Sequence, residues 1–193
     1  MVYSSLRDEK MEDNNVVLDT SSYLVRLFIG KKNGEQWLKE KRLEDRINVP
    51  DFHIANGHLN NEDTIFYFNK CSKNNHCNIY ASQITNGNWG EPYEIKELNI
   101  EGFTSTQPSV VIIKGVETIF FSSNRPGGKG GMDIWFSQKQ NGTFSKPANI
   151  GESINTIEDE ITPFYNLIDT SLYFSSNWHY GLGGFDIFKA KHQ

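Results

Sequence analysis

The segment FFSSNRPGGKGGMDIWFS, residues 120–137, has a close counterpart later in the chain, LYFSSNWHYGLGGFDIF at residues 172–188. Each segment consists of an apolar run ending in a serine pair, a glycine-rich loop, and a second apolar run that starts at an aspartate. The two aspartates, Asp133 and Asp186, are 53 residues apart (186 − 133). Such self-similarity at a fixed interval is typical of proteins built from structural repeats.

Two weaker copies of this unit precede these segments, so the sequence contains four. Residues 78–82 lie 55 residues before the equivalent run at 133–137 (133 − 78). Residues 64–69 match residues 118–123 at an interval of 54 (118 − 64). Tight Asn-Gly turns, each followed by an aromatic residue, recur at 33–34, 86–87 and 141–142.

Each unit has the pattern of a propeller blade. In the best-preserved copy Ile134 and Phe136 point to one face of a strand and Trp135 to the other, so both faces of the sheet are apolar. Helical periodicity is missing, and Gly and Pro interruptions come too often for paired helices. We therefore predict an all-β protein, a β-propeller of four-stranded antiparallel blades. The approximate blades are residues 1–44 (partial), 45–103, 104–157 and 158–193 (partial).

The strand count predicts an incomplete piece, about four blades, of a larger propeller. The first copy begins at its second strand and the last copy ends near its third. A long acidic loop, residues 8–22, interrupts the first copy. On this interpretation Met1 falls inside a strand and is not the natural start of the protein. A four-bladed ring with trimmed outer blades is the alternative.

Composition and charge limit the class of partner. Among 193 residues, 24 Asp and Glu exceed 19 Lys and Arg, which gives a net charge of −5. Nucleic-acid binding needs clustered cations, so we expect no nucleic-acid partner. No apolar run approaches the roughly 18 residues of a membrane helix, so we expect no direct membrane span. No export signal follows Met1.

The two glycine-loop segments and the link KPANIGESINTIEDEITPF, residues 146–164, resemble the WD40-like repeat of TolB-type β-propellers. The similarity is greatest to propellers fused to OmpA-like domains in the envelope of Gram-negative bacteria. Two features depart from that pattern. The sequence KCSKNNHC at residues 70–77 replaces the glycine loop, and the chain includes neither an OmpA-like domain nor a lipid-anchor cysteine near its start.

The resemblance implies a non-catalytic scaffold or binding module that is periplasmic or associated with the outer membrane and uses no cofactor. Other cell-envelope proteins are the implied partners, with peptidoglycan or another glycan as a further possibility. Sialidase boxes of the form Ser-x-Asp-x-Gly-x-Thr-Trp and the Gly-x-Ser-x-Gly element of serine hydrolases are absent, so we predict that the chain is not an enzyme. The alternatives are a glycan-binding propeller, and the propeller part of a hydrolase whose catalytic domain is missing.

The glycine-rich loop is interpreted as a wide hairpin, not as a phosphate cradle. A Walker loop requires Lys followed by Ser or Thr at the start of a helix, whereas Lys129 precedes two glycines and a strand. We expect the glycines to supply positive φ angles and the aspartates to accept hydrogen bonds from loop amides. These structural loop residues are Gly127, Gly128, Gly130, Gly131, Asp133, Gly183, Gly184 and Asp186.

Cys71 and Cys77 are a candidate disulfide. Cys71 ends one strand and Cys77 begins its partner, so the two side chains can face each other across a hairpin. A disulfide would suit an oxidising compartment. Two free thiols, or a metal site that includes His76, are the alternatives. No metal site and no catalytic residue is predicted.

The loop tips supply a candidate partner-binding surface. Trp178, His179 and Tyr180 can stack on a sugar ring or a partner protein, or pack against a neighbouring loop. Arg125 and Lys129, in the equivalent loop of the preceding copy, can contact acidic partners or remain solvated. In the acidic run at residues 158–160, we expect one carboxylate to accept hydrogen bonds from backbone amides and the others to face water.

Overall fold

The computed structural model describes residues 1–6, 24–38 and 41–191, and over this part the chain is an all-β protein in a four-bladed propeller arrangement. The predicted fold class is confirmed. The acidic loop expected at residues 8–22 lies outside the described residues. Among the described residues, no helix is long and apolar enough to cross a membrane.

Every blade is an antiparallel sheet in which successive long strands pair with each other, and in the first three blades short outer strands pair with the last long strand. In the first blade, β3 and β4 form a separate small hairpin. The strands of the first blade are β1 (Val2–Ser5), β2 (Arg26–Ile29), β3 (Lys32–Asn33), β4 (Gln36–Trp37) and β5 (Lys41–Arg42). Those of the second are β6 (His53–Leu59), β7 (Ile65–Cys71), β8 (Cys77–Thr85), β9 (Asn88–Trp89) and β10 (Tyr93–Glu94).

The third blade repeats the design of the second, with its outermost strand again divided into two short pieces. The first strands of the second, third and fourth blades contact one another across the blades, so they lie nearest the centre. The strands of the third blade are β11 (Ser105–Ile113), β12 (Val116–Ser123), β13 (Asp133–Gln140), β14 (Thr143–Phe144) and β15 (Ala148–Asn149). Those of the fourth are β16 (Glu160–Asn166), β17 (Ser171–Ser176) and β18 (Asp186–Lys191).

The antiparallel strands give the propeller two different faces. The loops between second and third strands, residues 72–76, 124–132 and 177–185, lie on one face, which we call the loop face. The connections between blades reach the same face, since Gly131 N–H donates to the Glu158 carbonyl oxygen over 3.0 Å. The tight turns between third and fourth strands lie on the opposite face, which we call the turn face.

Three apolar cores fill the interfaces between neighbouring blades. The alternation of strand side chains explains them, because successive residues of β7 face opposite sides of the sheet. Phe66 and Phe68 pack against the first blade, whereas Tyr67 packs against the third. The second and third blades are therefore covered by apolar side chains on both sides, as the sequence predicted, whereas the first and fourth blades are each covered on the side that faces their neighbour.

The second strands repeat at intervals of 53 residues, not 54. Phe66, Ile119 and Leu172 each face the preceding blade (119 − 66 and 172 − 119). The interval of 54 inferred from residues 64–69 and 118–123 is therefore corrected. The difference is large in effect, because a slip of one residue turns every side chain of a strand to the opposite face. Tyr67 is consequently equivalent to Phe120, which faces the fourth blade.

An asparagine side chain, buried in the first and third blades and half-buried in the second, contributes to the hydrogen bonding of the third strand in each of these blades. In the third blade, the Ile134 N–H donates to Asn155 Oδ1 (2.8 Å), and Asn155 Nδ2 donates to the Ile134 carbonyl oxygen (2.9 Å). One side chain thus reaches both backbone groups of one residue, and the Ile134 carbonyl oxygen also accepts the Ile150 N–H (3.2 Å). The equivalent pairs are Asn48 with Leu27 and Asn99 with Ile79.

Candidate functional site

The glycine-rich loop of the third blade is packed tightly against the connection to the fourth blade. A Cβ atom on Gly130 would lie 2.3 Å from the carbonyl carbon of Ile157, and one on Gly131 would lie 2.3 Å from Asp159 Oδ1. Met132 N–H donates to the same Asp159 oxygen over 2.7 Å. Gly130 is therefore required because the backbone of residue Ile157 approaches it closely, and Gly131 because the hydrogen-bonded Asp159 carboxylate does.

Positive φ angles are confined to part of the predicted glycine set. Gly127 (φ +90°), Gly183 (φ +122°) and Gly184 (φ +61°) have them. Gly128, like Gly130 and Gly131, does not, and a Cβ there would lie 2.1 Å from Asp133 Oδ2. For these three residues the predicted reason is corrected: the need is space, not a left-handed backbone.

The two loop aspartates accept hydrogen bonds from loop amides. Asp133 Oδ2 accepts from Lys129 N–H and from Asn149 Nδ2 (3.1 Å), and burial raises the pKa of its carboxyl group. Asp186 Oδ2 accepts from the N–H groups of Leu182 (2.7 Å) and Gly183 (3.3 Å). Both carboxylates therefore fix the conformation of the loop that precedes them.

Arg125 is buried between blades and does not lie at a loop tip. Only 5% of its surface is exposed, and burial lowers the pKa of its guanidinium group to about 10. Its Nε and Nη2 donate to the hydroxyl groups of Ser123 (3.0 Å) and Ser105 (2.8 Å), and the guanidinium lies 4.7 Å over the Phe121 ring. The expectation that Arg125 contacts a partner is corrected, because these contacts hold it inside the protein.

His179 is also held inside the structure. Its Nε2 lies 2.8 Å from the Ile154 carbonyl oxygen, and its ring packs against Phe188 at a centroid distance of 5.1 Å. Arg125 Nη2 donates to the equivalent carbonyl oxygen one blade earlier, that of Leu98. Both side chains therefore contact a carbonyl oxygen in the segment that connects two blades. His179, predicted as a candidate partner contact, is corrected to a structural residue.

Trp178 and Tyr180 remain exposed on the loop face. Trp178 is 54% exposed and Tyr180 is fully exposed. The loop that carries them is held at both ends, since Trp178 N–H donates to Ser176 Oγ (3.1 Å) and Asp186 accepts the amides named above. Lys129, in the third blade, is half-exposed and pairs with Glu152 over 2.8 Å; the hydrogen bond to that carboxylate raises the pKa of Lys129.

Cys71 and Cys77 are joined by a disulfide bond that closes the short loop of the second blade. They are directly paired in the register of β7 and β8. Among the described residues, no three metal-ligating side chains are grouped closely enough to hold a metal ion.

The acidic run at residues 158–160 supplies two carboxylates that accept hydrogen bonds from backbone amides, where one was expected. Asp159 accepts the Met132 N–H, and the fully buried Glu160 accepts the Thr156 N–H over 2.6 Å.

A cavity of about 290 Å³ opens on the turn face between the second and third blades. The residues that matter for its chemistry are Tyr67, Tyr93, Glu94, Lys139 and Phe144. Tyr67 comes from the middle of β7, whereas Lys139 and Phe144 come from β13 and β14, so two blades build the site. A pocket with a few converging polar groups is the usual form of a small-molecule site.

Two residues that line this cavity, Tyr67 and Lys139, meet the carboxylate of Glu117 beside it. Tyr67 OH donates to Glu117 Oε1 (2.7 Å), and Lys139 Nζ donates to the same oxygen (3.0 Å) and to Tyr67 OH (3.3 Å). The side chains of Glu117 and Lys139 are only 16% and 22% exposed. Burial, followed by the hydrogen bond to Glu117, raises the pKa of Tyr67 well above its usual range, so the phenol stays protonated. Sequence reasoning missed this group of three.

No protein-family model and no curated protein sequence matches the chain. The resemblance to TolB-type and OmpA-associated repeats therefore gains no support beyond the quoted residues. The coarser statement, a β-propeller fold, is supported by solved structures.

Three solved structures show the likeness. A puromycin-hydrolysing peptidase from Mycobacterium tuberculosis has a TM-score of 0.51 at 15% identity, over 88% of this chain and 29% of that one. An α-L-arabinanase from Penicillium chrysogenum, complexed with arabinobiose, has a TM-score of 0.52 at 13% identity, over 86% of this chain and 52% of that one. An endo-arabinase from Bacteroides thetaiotaomicron has a TM-score of 0.52 at 12% identity, over 89% and 67%.

The prediction that the chain is not an enzyme is corrected by these comparisons, because the three solved structures named above are enzymes. The chain spans less than a third of the peptidase and about half of the Penicillium arabinanase. At 12–15% identity the likeness establishes the fold and transfers no activity. The chain is thus a β-propeller whose architecture is shared with hydrolases.

Proposed function

We propose that the chain is a glycan-binding β-propeller module of a glycan-processing hydrolase. The observation that carries this proposal is the pair of exposed aromatic side chains, Trp178 and Tyr180, on the loop face of the fourth blade. Aromatic rings present a large apolar face with little conformational entropy to lose, which suits them to stacking on the apolar face of a sugar ring.

The loop is organised in advance for binding. The hydroxyl of Ser176 accepts the Trp178 N–H (3.1 Å), and the Asp186 carboxylate accepts the Leu182 N–H (2.7 Å). The neighbouring His179 ring is packed into the fourth blade. Because the backbone is fixed on both sides of the aromatic pair, little ordering entropy is lost when a ligand binds.

Two of the solved structures that share the fold are arabinanases, and one is complexed with arabinobiose. This supports a saccharide as the ligand class for the present chain. Leu182 and Phe185 are also exposed on the same loop, which extends the apolar surface available to a ligand beyond a single ring.

A glycan array followed by titration calorimetry tests the proposal. We expect the protein to bind a set of neutral oligosaccharides, and Trp178→Ala to weaken binding by about tenfold or more, the scale of a lost aromatic contact. Trp37→Ala is the matched control, since Trp37 is 55% exposed but lies on the β3–β4 hairpin of the first blade. Absence of glycan binding, or equal losses in both variants, would contradict the proposal.

We also propose that the module acts in an oxidising compartment, such as the periplasm, where glycans and other envelope proteins are available as partners. The Cys71–Cys77 disulfide supports this, because disulfides persist mainly in such compartments. Thiol titration of protein isolated without reductant from periplasm and from cytoplasm tests it. Free thiols in the periplasmic material would contradict it.

A further inference from the structure

We infer that the cavity between the second and third blades is a second binding site, for an uncharged polyhydroxylated ligand about the size of one sugar ring. The choice of ligand class rests on the proposed glycan-binding function, whereas the site itself rests on the geometry of Tyr67, Glu117 and Lys139. The cavity lies on the turn face, and Trp178 and Tyr180 lie on the loop face.

The size of the cavity limits the ligand. Its volume is about 290 Å³. Pockets that bind small molecules measure roughly 300–1,000 Å³, so this cavity, just below that range, admits only a small ligand. A single sugar ring is of this size, while a longer oligosaccharide has to leave the cavity at its exposed rim, near Tyr93, which is 48% exposed.

The hydrogen-bonding groups at the cavity are only partly used. A lysine ammonium has three donors, and those of Lys139 reach two described partners, Glu117 Oε1 and Tyr67 OH. The hydrogen bonds described for Glu117 go to Oε1, so Glu117 orients the Lys139 ammonium beside the cavity. The lining itself retains one donor of Lys139 and the carboxylate of Glu94, whose described hydrogen bonds both go to Oε1. Neighbouring hydroxyl groups of a sugar, which both donate and accept, match these groups.

The charge of the site favours a neutral ligand. Lys139 and Glu117 form an ion pair at 3.0 Å in a mostly buried setting, and the other charged residues that line the cavity carry both signs: Lys96, Glu94 and Glu97. An anionic or cationic ligand would bring an unpaired charge out of water, which is costly. Glu94, also at the cavity, is already held by the Asn78 and Asn99 amides (2.9 and 3.2 Å).

Apolar surface completes the match to a sugar ring. Phe144, which is 6% exposed, contacts Tyr67 edge-to-face at a centroid distance of 5.9 Å. Phe144 and Tyr93 both line the cavity. Few, well-placed polar groups beside aromatic surface are the usual composition of a site that fixes the orientation of a small ligand.

A similar group of a tyrosine, a carboxylate and a lysine in the fourth blade serves as a control for Tyr67, Glu117 and Lys139. In the fourth blade Tyr173 OH donates to Asp169 Oδ2 (2.7 Å), and Lys189 pairs with the same oxygen (2.7 Å). Tyr173 is equivalent in register to Tyr67 (173 − 120 and 120 − 67). Lys189 is half-exposed, and this second group does not line the cavity. The fourth-blade group therefore has the same kinds of side chain but lies outside the cavity.

Titration calorimetry with neutral monosaccharides, arabinose among them, and with a sugar acid tests the inference. We expect a neutral sugar to bind the wild type and Trp178→Ala alike, and the sugar acid to bind at least about tenfold more weakly. Glu117→Gln and the cavity-filling Thr143→Tyr should each weaken binding by about tenfold or more, the scale of a lost hydrogen bond to a charged group. Tyr173→Phe should leave it unchanged.

The outcomes separate this inference from the proposed function. If Trp178→Ala abolishes all saccharide binding and Glu117→Gln changes none, the cavity is overturned and the loop site stands. If the reverse pattern is found, the loop site fails and the cavity stands. Thr143→Tyr keeps Tyr67, Glu117 and Lys139 in place, so it decides the question if Glu117→Gln fails to fold. Unchanged affinity in Thr143→Tyr would overturn the inference.

Discussion

Asparagine side chains attach the connections between blades to the third strands. Asn155 accepts the Ile134 N–H and donates to the Ile134 carbonyl oxygen, which also accepts the Ile150 N–H (3.2 Å). Asn155 is 2% exposed, so water cannot replace these bonds. A small side chain here would leave the buried Ile134 N–H without a partner, the costly case in hydrogen-bond energetics.

We predict that Asn155→Ala lowers the free energy of unfolding by about 2–4 kcal/mol, because it removes these bonds and leaves the Ile134 N–H unpaired. Urea unfolding measures the change. Asn88→Ala, at an exposed strand position, serves as control and should change stability little. A loss below about 1 kcal/mol for Asn155→Ala would mean that other groups satisfy Ile134.

His58 makes stability depend on pH. Its Nδ1 accepts the Val110 N–H (2.9 Å), and burial lowers the pKa of its imidazole from the usual 6.5. The unfolded chain therefore binds a proton more readily than the folded chain does. The stabilisation is present above the unfolded pKa and is lost as pH falls below it.

We predict that the difference in unfolding free energy between wild type and His58→Gln shrinks as pH falls from about 8 to about 5. Chemical denaturation of both proteins across that range measures this difference. A difference independent of pH would show that protonation of His58 does not compete with the Val110 hydrogen bond.

At the scale of single elements, the glycine loop of the third blade depends on close packing. A Cβ on Gly130 would meet the Ile157 carbonyl carbon at 2.3 Å, and backbone cannot move aside cheaply. On Gly30, by contrast, the nearest atom to a Cβ would be 3.6 Å away, an ordinary contact.

We predict that Gly130→Ala destabilises the protein by about 1–3 kcal/mol, the usual cost of forcing extra volume into a packed site. Gly30→Ala should be tolerated. Thermal unfolding of the two variants provides the comparison, and equal stability of both would contradict the packing explanation.

The disulfide closes the loop of the second blade, where no glycine is available. Cys71 and Cys77 are separated by six positions, so the loop is short. In the chain-entropy model a loop of this length contributes about 2 kcal/mol. We predict that a reductant lowers wild-type stability by about this amount and leaves Cys71→Ser/Cys77→Ser unaffected. Equal stability of the wild type with and without reductant would contradict this.

The number and order of the strands could be predicted from the sequence, because the alternation of apolar residues and the tight turns are local signals. The register of the second strands could not. Residues of β7 and β12 are apolar on both faces, so hydrophobic alternation does not tell which side faces which blade. The burial of Arg125 could not be predicted either, because it depends on contacts with Ser105 and Phe121 in the assembled interface.

At the scale of the whole molecule, function depends on surfaces that only assembled blades create. Tyr67 and Glu117 are 50 residues apart in sequence and meet because the second and third blades dock face to face. A polar Tyr67 among apolar strand residues was the available signal. The exposed pair Trp178 and Tyr180, in contrast, could be predicted because its loop follows directly from the repeat.

A crystal structure with the tightest-binding oligosaccharide from the array tests glycan recognition most directly. We predict a sugar ring stacked on Trp178 and within contact of Tyr180 on the loop face of the fourth blade. A saccharide bound in the centre of the propeller, with both aromatic side chains free of ligand, would contradict the proposed function.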